Sequence, residues 1–433
     1  MPGSTIFSIV HCSCAMIDGS TVRYSLFDIE VTRPLSDLPL SPGDAGVAIL
    51  VRRKGVPIAF WLQEVNGIPR MSAGELTRRI ATEAGEKIVS ETIREEMMSP
   101  SSAASLPSLT VAICTKDRPE GVERLLHSLR GQMAALPEGS RGCEILIVDN
   151  APSDERTRDL AALCSEVRYV CEPRPGLNFA RNRALREARG EVLAFLDDDV
   201  VVDKSWSIGL AEACTENRDA VAFTGQVLPL ELETEAQIAF EIRGGFRRGF
   251  DRVRYGPVLP GNSLYPGGAG ILGAGANMAF KTEALRKLGG FDEALDTGAA
   301  VPGGGDLDIF YRIIRAGHTL VYEPRFLVFH QHRRDMKSLL RQYRRSWGLG
   351  FMCYISKCLK DDPERRINLL RLIYWWFVKD LLGLLMHLKK KLQGRRHLPP
   401  SLFLGELWGG VVGLFGGYSR SLRRVEQIRK SFP

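Results

Sequence analysis

The stretch EVLAFLDDDVVV, Glu191–Val202, decides the fold because an apolar segment ends abruptly in three acidic residues. Val192–Leu196 is short and wholly apolar, a pattern typical of a strand buried on both faces of a parallel sheet. Asp197, Asp198 and Asp199 repel one another and need a counter-charge to stay ionised. Ligands of open α/β sheets bind at the carboxyl ends of strands, so Mg²⁺ or Mn²⁺ is the expected counter-charge. A solvated acidic turn is the alternative.

The chain has 433 residues, enough for two or three domains, and its charge is unevenly distributed. Residues 331–433 contain 22 Lys and Arg but only 7 Asp and Glu, whereas the preceding part is net acidic. A basic end on an acidic body favours contact with an anionic surface, either lipid or nucleic acid. The nine cysteines are odd in number and show no paired C-x-x-C spacing, which indicates a reducing, cytoplasmic compartment.

Residues 1–98 are predicted to form a small β-rich accessory module followed by a helix. Val47–Arg53 and Ile58–Val65 flank a Gly-Val-Pro turn, which predicts a β-hairpin. Residues 74–98 lack Pro and are rich in strong helix formers, which predicts a helix. Ser99–Ser108, rich in Ser, Ala and Pro, is the expected linker to the next domain.

From residue 109 the sequence alternates predicted strands with predicted helices. The strands are Leu109–Cys114, Glu144–Asn150, Val167–Glu172 and the segment that ends at Asp197. Four strands joined by short helices predict a parallel, Rossmann-like half sheet. The carboxyl ends of parallel strands meet at one edge of a sheet, so polar residues there should lie along one rim. These residues are Thr115, Asp149, Glu172 and Asp197.

Six segments, in the same order along the chain, resemble the family 2 glycosyltransferases of the GT-A fold. They are TVAICTKDRP, EILIVDN, RPGLNFARNRAL, FLDDDV, GAGANMAF and GGGDLDIFYRIIRAG, between Leu109 and about His332. Each is weak alone, but six in order are specific. The resemblance implies an α/β domain over residues 109–345, with a mostly parallel sheet flanked by helices. It also implies transfer of a sugar from a nucleotide-activated donor to an acceptor hydroxyl.

The resemblance implies that the predicted rim binds the donor nucleotide. The residues concerned are Thr115, Asp117, Arg118, Asp149, Arg174, Asn178, Arg181, Asp197 and Asp198. The first three occupy the family's first nucleotide-binding loop, and Asp149 can accept a hydrogen bond from the base or the ribose. The basic segment from Arg174 opens a helix, where the N-terminus and Arg side chains favour phosphate. Loop capping and a solvated basic face are the alternatives.

Asp197 and Asp199 match the first and third positions of the family's Asp-x-Asp motif. The resemblance implies that Asp199 ligates the metal directly and that Asp197 contacts the ribose or a metal-bound water. His330 and His332 follow a predicted strand, Arg325–Phe329, where related enzymes place a third metal ligand, often His. An imidazole ligand would suit Mn²⁺ better than Mg²⁺. A histidine that only caps its strand is the alternative.

Asp306 falls at the position of the family's catalytic base. Inverting transfer needs a carboxylate to take the acceptor proton. Asp308 is expected to cap the following helix at its N-terminus, and Gly273–Phe280 is expected to form a floor between the donor and acceptor sides. Many family members have Glu directly before the base. This chain has Gly305 there, which puts its mode of acceptor binding in doubt.

Residues 346–433 are predicted to form a basic, helical, membrane-associating tail. Residues 367–388 are long enough to span a bilayer but contain three charges, and each costs about 2.5–3.5 kcal/mol near the membrane centre. Arg371 and Lys379 fall on one predicted side, so an amphipathic helix in the membrane plane is expected. Core helices of a soluble domain are the alternative. A glycine at every fourth position over Gly405–Gly417 predicts close packing on another helix.

Together these patterns predict an inverting, metal-dependent glycosyltransferase at the cytoplasmic face of the inner membrane. Its partners would be a nucleotide-sugar donor, a glycan or lipid-linked acceptor, and Mn²⁺ or Mg²⁺. Nucleic acid is not an expected partner because the Trp- and Leu-rich segments of the tail fit lipid better. A non-catalytic nucleotide-sugar-binding scaffold is one alternative, which Gly305 favours. A nucleotidyltransferase is another, but it would need a Gly-rich phosphate loop where this chain has Thr115–Pro119.

Overall fold

A computed structural model describes residues 22–65, 69–97, 107–134, 142–296, 300–393 and 397–432. Residues 1–21 of the expected accessory module and most of the predicted linker lie outside these ranges.

The N-terminal part is a small sheet covered by one helix. Its elements are β1 (Arg23–Glu30), β2 (Leu38–Pro39), β3 (Asp44–Arg53), β4 (Val56–Glu64), β5 (Arg70–Met71) and α1 (Ala73–Met97). β1 pairs in parallel with β3, β3 and β4 form an antiparallel hairpin, and β2 pairs with β5. Val47 and Ile49 of β3 pack with Leu76 and Ile80 of α1. The predicted hairpin and helix are therefore confirmed.

Strands and helices then alternate through the larger part of the molecule. In chain order they are β6 (Leu109–Thr115), α2 (Pro119–Ala134), β7 (Cys143–Asn150), α3 (Arg156–Ala162), β8 (Val167–Glu172), α4 (Leu177–Glu187), β9 (Val192–Asp197), β10 (Val200–Val202), α5 (Trp206–Glu216), β11 (Ala222–Pro229), α6 (Glu235–Ile242), β12 (Val253–Tyr255), β13 (Asn277–Lys281), α7 (Thr282–Lys287), α8 (Gly305–Arg315) and β14 (Leu320–His330). A single 3₁₀ turn, Ala269–Leu272, precedes β13.

One nine-stranded sheet organises this part, in the order β10-β14-β11-β13-β9-β6-β7-β8, with β12 also paired to β14. β9, β6, β7 and β8 run in parallel, while β13 is antiparallel to both of its neighbours. The residues of β6 are all buried because apolar clusters cover both faces of the sheet. The predicted α/β class, with a large sheet flanked by helices, is confirmed.

The strand register places the predicted rim as expected. Thr115 lies opposite Asp149 across the β6–β7 pair, and Cys114 lies opposite Asp197 across the β6–β9 pair. Asn150 lies opposite Glu172 at the end of β8. The polar residues at the ends of the four parallel strands therefore share one edge of the sheet.

Two local predictions need correction. Asp308 does not cap α8, because the helix already begins at Gly305, after Gly304 in the left-handed region at φ +91°. Asp308 is instead buried in the first turn, where its carboxylate lies 2.8 Å from Lys357 Nζ and 2.8 Å from Arg312 Nε. The strand expected at Arg325–Phe329 is only the second half of the longer β14.

The C-terminal part is helical and packs on the sheet domain. Its elements are α9 (Met336–Gln342), a π-helical segment (Tyr343–Gly350), α10 (Phe351–Asp361), a 3₁₀ turn (Pro363–Arg365), α11 (Arg366–Leu392), α12 (Pro400–Leu414) and α13 (Gly417–Ser431). A Cβ atom on Gly409 would lie 1.8 Å from the Arg344 carbonyl oxygen, and one on Gly413 would lie 2.7 Å from that of Leu349. The glycine stripe therefore does allow close helix packing, of α12 on the π-helical segment.

The charged side chains of the two apolar helices, α11 and α12, are partly buried and partly exposed. Asp380 of α11 and Glu406 of α12 are buried, and both pair with Arg243. Arg371 and Lys379 lie on the exposed side of α11 instead, among apolar side chains. The predicted separation into a polar side and an apolar side is therefore wrong, because Arg371 and Lys379 share the exposed side with apolar residues such as Tyr374.

Among the residues that the structure describes, no helix is both long enough and apolar enough to cross a membrane.

Candidate active site

The three acidic residues after β9 have three different environments. Asp198 is buried, accepts a hydrogen bond from Thr115 Oγ1 at 2.7 Å, and pairs with Arg118 Nη1 at 2.8 Å. Its charge is thus neutralised by the neighbouring loop after β6. Asp197 and Asp199 flank it in sequence, and their side chains keep 34% and 15% of their surface exposed. Thr115 and Asp198 therefore fix the turn, and Asp197 and Asp199 face the rim.

β14 carries His330 to the edge of this turn. Val200 of β10 lies opposite His330 in the antiparallel pair, which sets His330 Nε2 3.2 Å from Asp199 Oδ1. Burial alone would raise the pKa of Asp199, but the charge and contact of His330, with Arg118, lower it overall. Burial alone would lower the pKa of His330, but Asp199 raises it overall. A carboxylate oxygen and an imidazole nitrogen therefore face one another, a donor pair suited to Mn²⁺.

The protein side chains at the rim could bind a divalent cation only if a substrate supplied further ligands. Within the described ranges, no group of three or more His, Cys, Asp or Glu side chains is arranged to hold a metal. The predicted ligands Asp197, Asp199 and His330 therefore do not form a complete site. Asp199 Oδ1 is nevertheless buried and lacks a well-aligned hydrogen bond, so it is available to a cation. At Asp197, burial and the negative charge of Asp199 raise the pKa to about 7. Sites with one or two protein ligands commonly use substrate phosphates as further ligands.

Arg181, on α4, connects this rim to the second acidic motif. Its guanidinium is buried, 3.8 Å from Asp197 Oδ1 and 2.6 Å from Asp296 Oδ2. A Cβ atom on Gly275 would lie 3.1 Å from Arg181 Nη2 and 3.2 Å from Asp306 Oδ2. A larger residue at position 275 would require the Arg181 or Asp306 side chain to shift by a few tenths of an ångström.

Asp306 is held at the entrance of α8 by backbone donors. The N–H of Gly275 donates to Oδ2 at 2.9 Å and the N–H of Leu307 donates to Oδ1 at 2.9 Å. Burial raises the pKa of Asp306 and the charge of Asp296 raises it further, while Arg181 and the two N–H groups oppose the shift. A half-buried carboxylate with a raised pKa is suited to accept a proton near neutral pH.

Asp296 is a candidate functional residue that the sequence did not reveal. It takes φ +83° and is buried, and it holds Arg181 from the side opposite Asp197. A Cβ atom on Gly305 would lie 2.4 Å from Asn178 Nδ2 and 2.9 Å from Asp296 Oδ2. The space beside Gly305, where many family members have a Glu side chain, is therefore occupied by Asn178 and Asp296.

The other predicted nucleotide-binding residues divide into two groups. Asp149 and Asp117 lie on the rim: the Tyr169 hydroxyl donates to Asp149 at 3.1 Å, leaving Oδ1 without a partner, and Asp117 accepts from the Ser153 N–H at 2.8 Å. Arg174 and Asn178 are engaged within the protein. Arg174 pairs with Glu172 at 2.6 Å, and Asn178 donates to the carbonyl oxygens of residues 292 and 295. The structure therefore does not place these two side chains towards the rim.

A sheet whose parallel strands end in a carboxylate-rich rim, opposite a second acidic motif, has the architecture of the GT-A class. Comparison with known proteins agrees. Residues 110–258 match the model of glycosyl transferase family 2. Residues 110–258 therefore form a family 2 glycosyltransferase domain, and proteins with this domain are enzymes.

Several named proteins are similar to this chain over half of its length or more. The pre-mycofactocin glycosyltransferase of Mycobacterium tuberculosis is 27% identical over 240 residues, covering 55% of this chain and 46% of that protein. The glucosyl-dolichyl phosphate glucuronosyltransferase of Haloferax volcanii is 22% identical over 285 residues, covering 61% of this chain and 84% of that protein. The solved mannosyltransferase PcManGT from Pyrobaculum calidifontis, in complex with GDP-Man and Mn²⁺, is 17% identical with a TM-score of 0.42, covering 78% of this chain and 81% of that chain. The chain spans about half the length of the first of these relatives.

Proposed function

We propose that this chain is an inverting, metal-dependent glycosyltransferase that moves a sugar from a nucleotide-sugar donor to a hydroxyl group. The observation that carries the proposal is the link between Asp197, Arg181 and Asp306. Arg181 lies 3.8 Å from the first carboxylate of the rim, and Gly275 brings it beside Asp306. A donor site and a candidate base on the two sides of one arginine are what sugar transfer requires.

The chain's own residues would act as follows. Asp306 takes the proton of the acceptor hydroxyl while that oxygen attacks the anomeric carbon. The bond from the anomeric carbon to the phosphate oxygen breaks on the opposite face, and the nucleoside diphosphate leaves with the electron pair. Asp199 and His330 would hold a divalent cation, which neutralises the charge that develops on the diphosphate. Arg181 places a fixed positive charge between the two halves of the site.

The test is release of nucleoside diphosphate from a panel of UDP-, GDP- and TDP-sugars with Mn²⁺ or Mg²⁺. We expect one donor to be turned over, and EDTA to abolish its turnover. Asp199→Asn should reduce the rate by about 100-fold or more, since it removes the anionic ligand. Glu86→Gln, which changes an exposed carboxylate on α1 of the N-terminal module, is the control and should not change the rate. Turnover that is unaffected by EDTA and by Asp199→Asn would contradict the metal-dependent mechanism.

Binding without turnover would favour the scaffold alternative. We expect the opposite, because Asp306 is half-buried at the rim rather than sealed in the core. A donor that binds with the same affinity to wild type and Asp306→Asn, with no release by either protein in the presence of lipid and glycan extracts, would support the scaffold.

We also propose that the enzyme works at the inner face of the membrane on a lipid-linked or glycan acceptor. The exposed side of α11 and α12 is unusually apolar. Its large apolar side chains, each at least 38% exposed, are Ile367, Leu370, Tyr374, Trp375, Leu381, Leu382, Leu385, Met386, Leu388, Leu392, Leu404 and Trp408. Arg371 and Lys379 lie among them, with Lys379 Nζ 5.6 Å from the Trp375 ring centre, and Lys389–Lys391 follow. Apolar residues mixed with cations and Trp are typical of a helix that lies in an anionic lipid surface.

Vesicle sedimentation tests this surface. Wild type should co-sediment with phosphatidylglycerol vesicles, less with phosphatidylcholine vesicles, and less at high salt. Leu382→Glu with Leu385→Glu should reduce binding about 10-fold or more, because two charges enter the apolar side. Val89→Glu with Ile93→Glu, two exposed apolar positions on α1, is the control. Wild type that stays in the supernatant but self-associates in the ultracentrifuge would show that a second copy covers this side.

A further inference from the structure

Three buried side chains form a line that leads from the rim into the protein. His330 Nδ1 lies 2.9 Å from His332 Nδ1, and His332 Nε2 lies 2.8 Å from Glu241 Oε1. The side chain of His330 is 11% exposed, that of His332 is 2% exposed, and that of Glu241 is fully buried. β14 ends at His330, and α6 carries Glu241, so residues 91 positions apart complete the line.

The chemistry of these groups assigns the protons. A carboxylate only accepts hydrogen bonds, so His332 donates to Glu241 through Nε2–H. A neutral His332 that carries its proton on Nε2 has its lone pair on Nδ1, the nitrogen that lies 2.9 Å from His330 Nδ1. That lone pair accepts the Nδ1–H of His330. A divalent cation bound at His330 Nε2, the nitrogen that lies 3.2 Å from Asp199 Oδ1, would need the lone pair of that nitrogen and would thus require the proton on Nδ1.

Aromatic packing fixes the rings as well as the protons. The His332 ring lies 4.6 Å from the Phe240 ring centre, and the His330 ring lies 5.3 Å from that of Phe246. Glu241 is itself held by Arg247, whose Nε lies 3.0 Å from the second carboxylate oxygen. Neither imidazole can rotate without losing these contacts.

We propose that Glu241 and His332 are positioning residues that hold His330 in the tautomer whose Nε2 can ligate a divalent cation. The inference rests on the metal-dependent function proposed above. Histidine ligands usually donate their second N–H to a carboxylate or another acceptor, which sets the tautomer and ring orientation. Here a second histidine stands between the ligand and the carboxylate, so the tautomer of His330 depends on a carboxylate that does not touch it.

Glu241→Gln is the sharpest variant because Arg247 dictates the orientation of the new amide. Arg247 can only donate, so the amide oxygen turns towards it and the NH₂ group turns towards His332. His332 then accepts at Nε2 and carries its proton on Nδ1. Two N–H groups would meet between the rings, so His330 must move its proton to Nε2, the nitrogen needed for the metal.

Two measurements test the proposal, neither of which needs activity. In ¹⁵N-histidine spectra, His332 should carry its proton on Nε2 in wild type and on Nδ1 in Glu241→Gln. Titration with Mn²⁺, alone and with excess UDP or GDP, followed by electron paramagnetic resonance, should show affinity about 10- to 100-fold weaker in Glu241→Gln. His332→Phe, which keeps the ring but removes the acceptor, should weaken Mn²⁺ binding similarly. His332→Asn, which keeps an acceptor near Nδ1, should recover part of it.

Glu231→Gln is the matched control, since Glu231 contacts Gln331 and Gln237 rather than a histidine, and should bind Mn²⁺ as wild type does. Folding of each variant is checked by its thermal transition. Folded Glu241→Gln and His332→Phe that bind Mn²⁺ as tightly as wild type would overturn the positioning role while leaving the proposed function intact. Wild type that binds no Mn²⁺ even with UDP or GDP present would instead overturn the metal dependence on which the inference rests.

Discussion

At the scale of single residues, Asp296 distinguishes this site from the sequence pattern that first indicated it. Arg181 is buried and needs an anionic partner on each side. Asp197 supplies one at 3.8 Å and Asp296 the other at 2.6 Å. Asp296 is therefore the stronger support of the arginine that lies between rim and base.

Asp296→Asn should lower kcat about 10- to 100-fold while leaving the protein folded, because the amide keeps a hydrogen bond to Arg181 but not the charge. Steady-state kinetics with the turned-over donor measure the effect. Glu293→Gln, which changes a carboxylate three positions earlier that pairs with exposed Arg429, is the control. Equal kcat in wild type and Asp296→Asn would show that Arg181 needs only Asp197.

The pH dependence of the rate reports on Asp306. Its pKa is raised by burial and by Asp296, and only its deprotonated form can accept a proton. The rate should therefore rise with pH through a pKa above the ordinary value of about 4. Asp296→Asn removes a negative neighbour and should move this limb to lower pH. A limb that moved upward, measured as log(kcat/KM) against pH, would show that Asp306 is not the group titrating.

Sequence patterns could predict the residues whose role is local. Asp199 lies just after β9 and Asp306 lies in the first turn of α8, each within a short motif, so their positions follow from the elements beside them. Asp296 could not be predicted, because no motif in the sequence singles it out and it meets Arg181 across 115 positions. For the same reason, the sequence did not reveal the contacts that Arg174 and Asn178, two predicted nucleotide-binding residues, make in the fold. Their motif does not show that both side chains contact other parts of the protein.

At the scale of elements, a buried cluster joins the C-terminal helices to the sheet domain. Arg243, just after α6, lies between the rings of Tyr343 and Phe403, 4.6 and 4.0 Å from their centres. Asp380 and Glu406 converge on its guanidinium. Burial and the charge of Asp380 raise the pKa of Glu406 to about 8, although Arg243 opposes the shift. One cation thus serves two carboxylates, and Glu406 is protonated at neutral pH.

The stability of this junction should depend on pH. The pKa of Glu406 rises from an ordinary 4.5 to about 8 on folding, so its contribution to the free energy of unfolding is fully present below about pH 4.5 and is lost as pH rises through about 8. The free energy of unfolding of wild type, measured by thermal unfolding, should therefore fall by on the order of 2 kcal/mol between about pH 6 and pH 9. Glu406→Gln, which cannot ionise, should show a flatter profile. Parallel profiles for the two proteins would refute the assignment.

The N-terminal module contacts the sheet domain through apolar clusters and through a buried arginine. Arg52 of β3 lies 2.6 Å from Asp203, just after β10, and its side chain is 1% exposed. Arg52→Met should lower the free energy of unfolding by about 3–5 kcal/mol, since it leaves Asp203 buried without its partner. Arg53→Met, which breaks a more exposed pair with Glu95, should cost less than about 1 kcal/mol. Equal losses in denaturant melts would show that Arg52 is no anchor.

Periodicity predicted the elements better than it predicted their surroundings. The hairpin, the long N-terminal helix and the four parallel strands follow from local patterns. The orientation of α11 could not be predicted from local patterns, because Asp380 faces inward to Arg243, which lies 137 positions earlier. Charges in an apolar helix indicate an interface of some kind, but the sequence does not tell which side of the helix is covered.

At the scale of the whole molecule, three parts surround one rim. The sheet domain supplies the carboxylates and His330, the N-terminal module docks beside β10 through Arg52, and the C-terminal helices pack below α6 and α8 while keeping an apolar side exposed. The resemblance predicted the central domain because its motifs surround the strand ends. The docking of the other two parts rests on buried contacts between distant residues, which no single motif contains.

The central claim is that Asp306 performs the proton transfer of a sugar-transfer reaction at this rim. The most direct test compares wild type with Asp306→Asn, using the donor selected from the panel and measuring donor affinity and nucleoside diphosphate release on the same protein. The account predicts unchanged donor affinity and a rate lowered about 1,000-fold, because the amide fills the same space but cannot accept the proton. An Asp306→Asn variant that releases nucleoside diphosphate at the wild-type rate would contradict it.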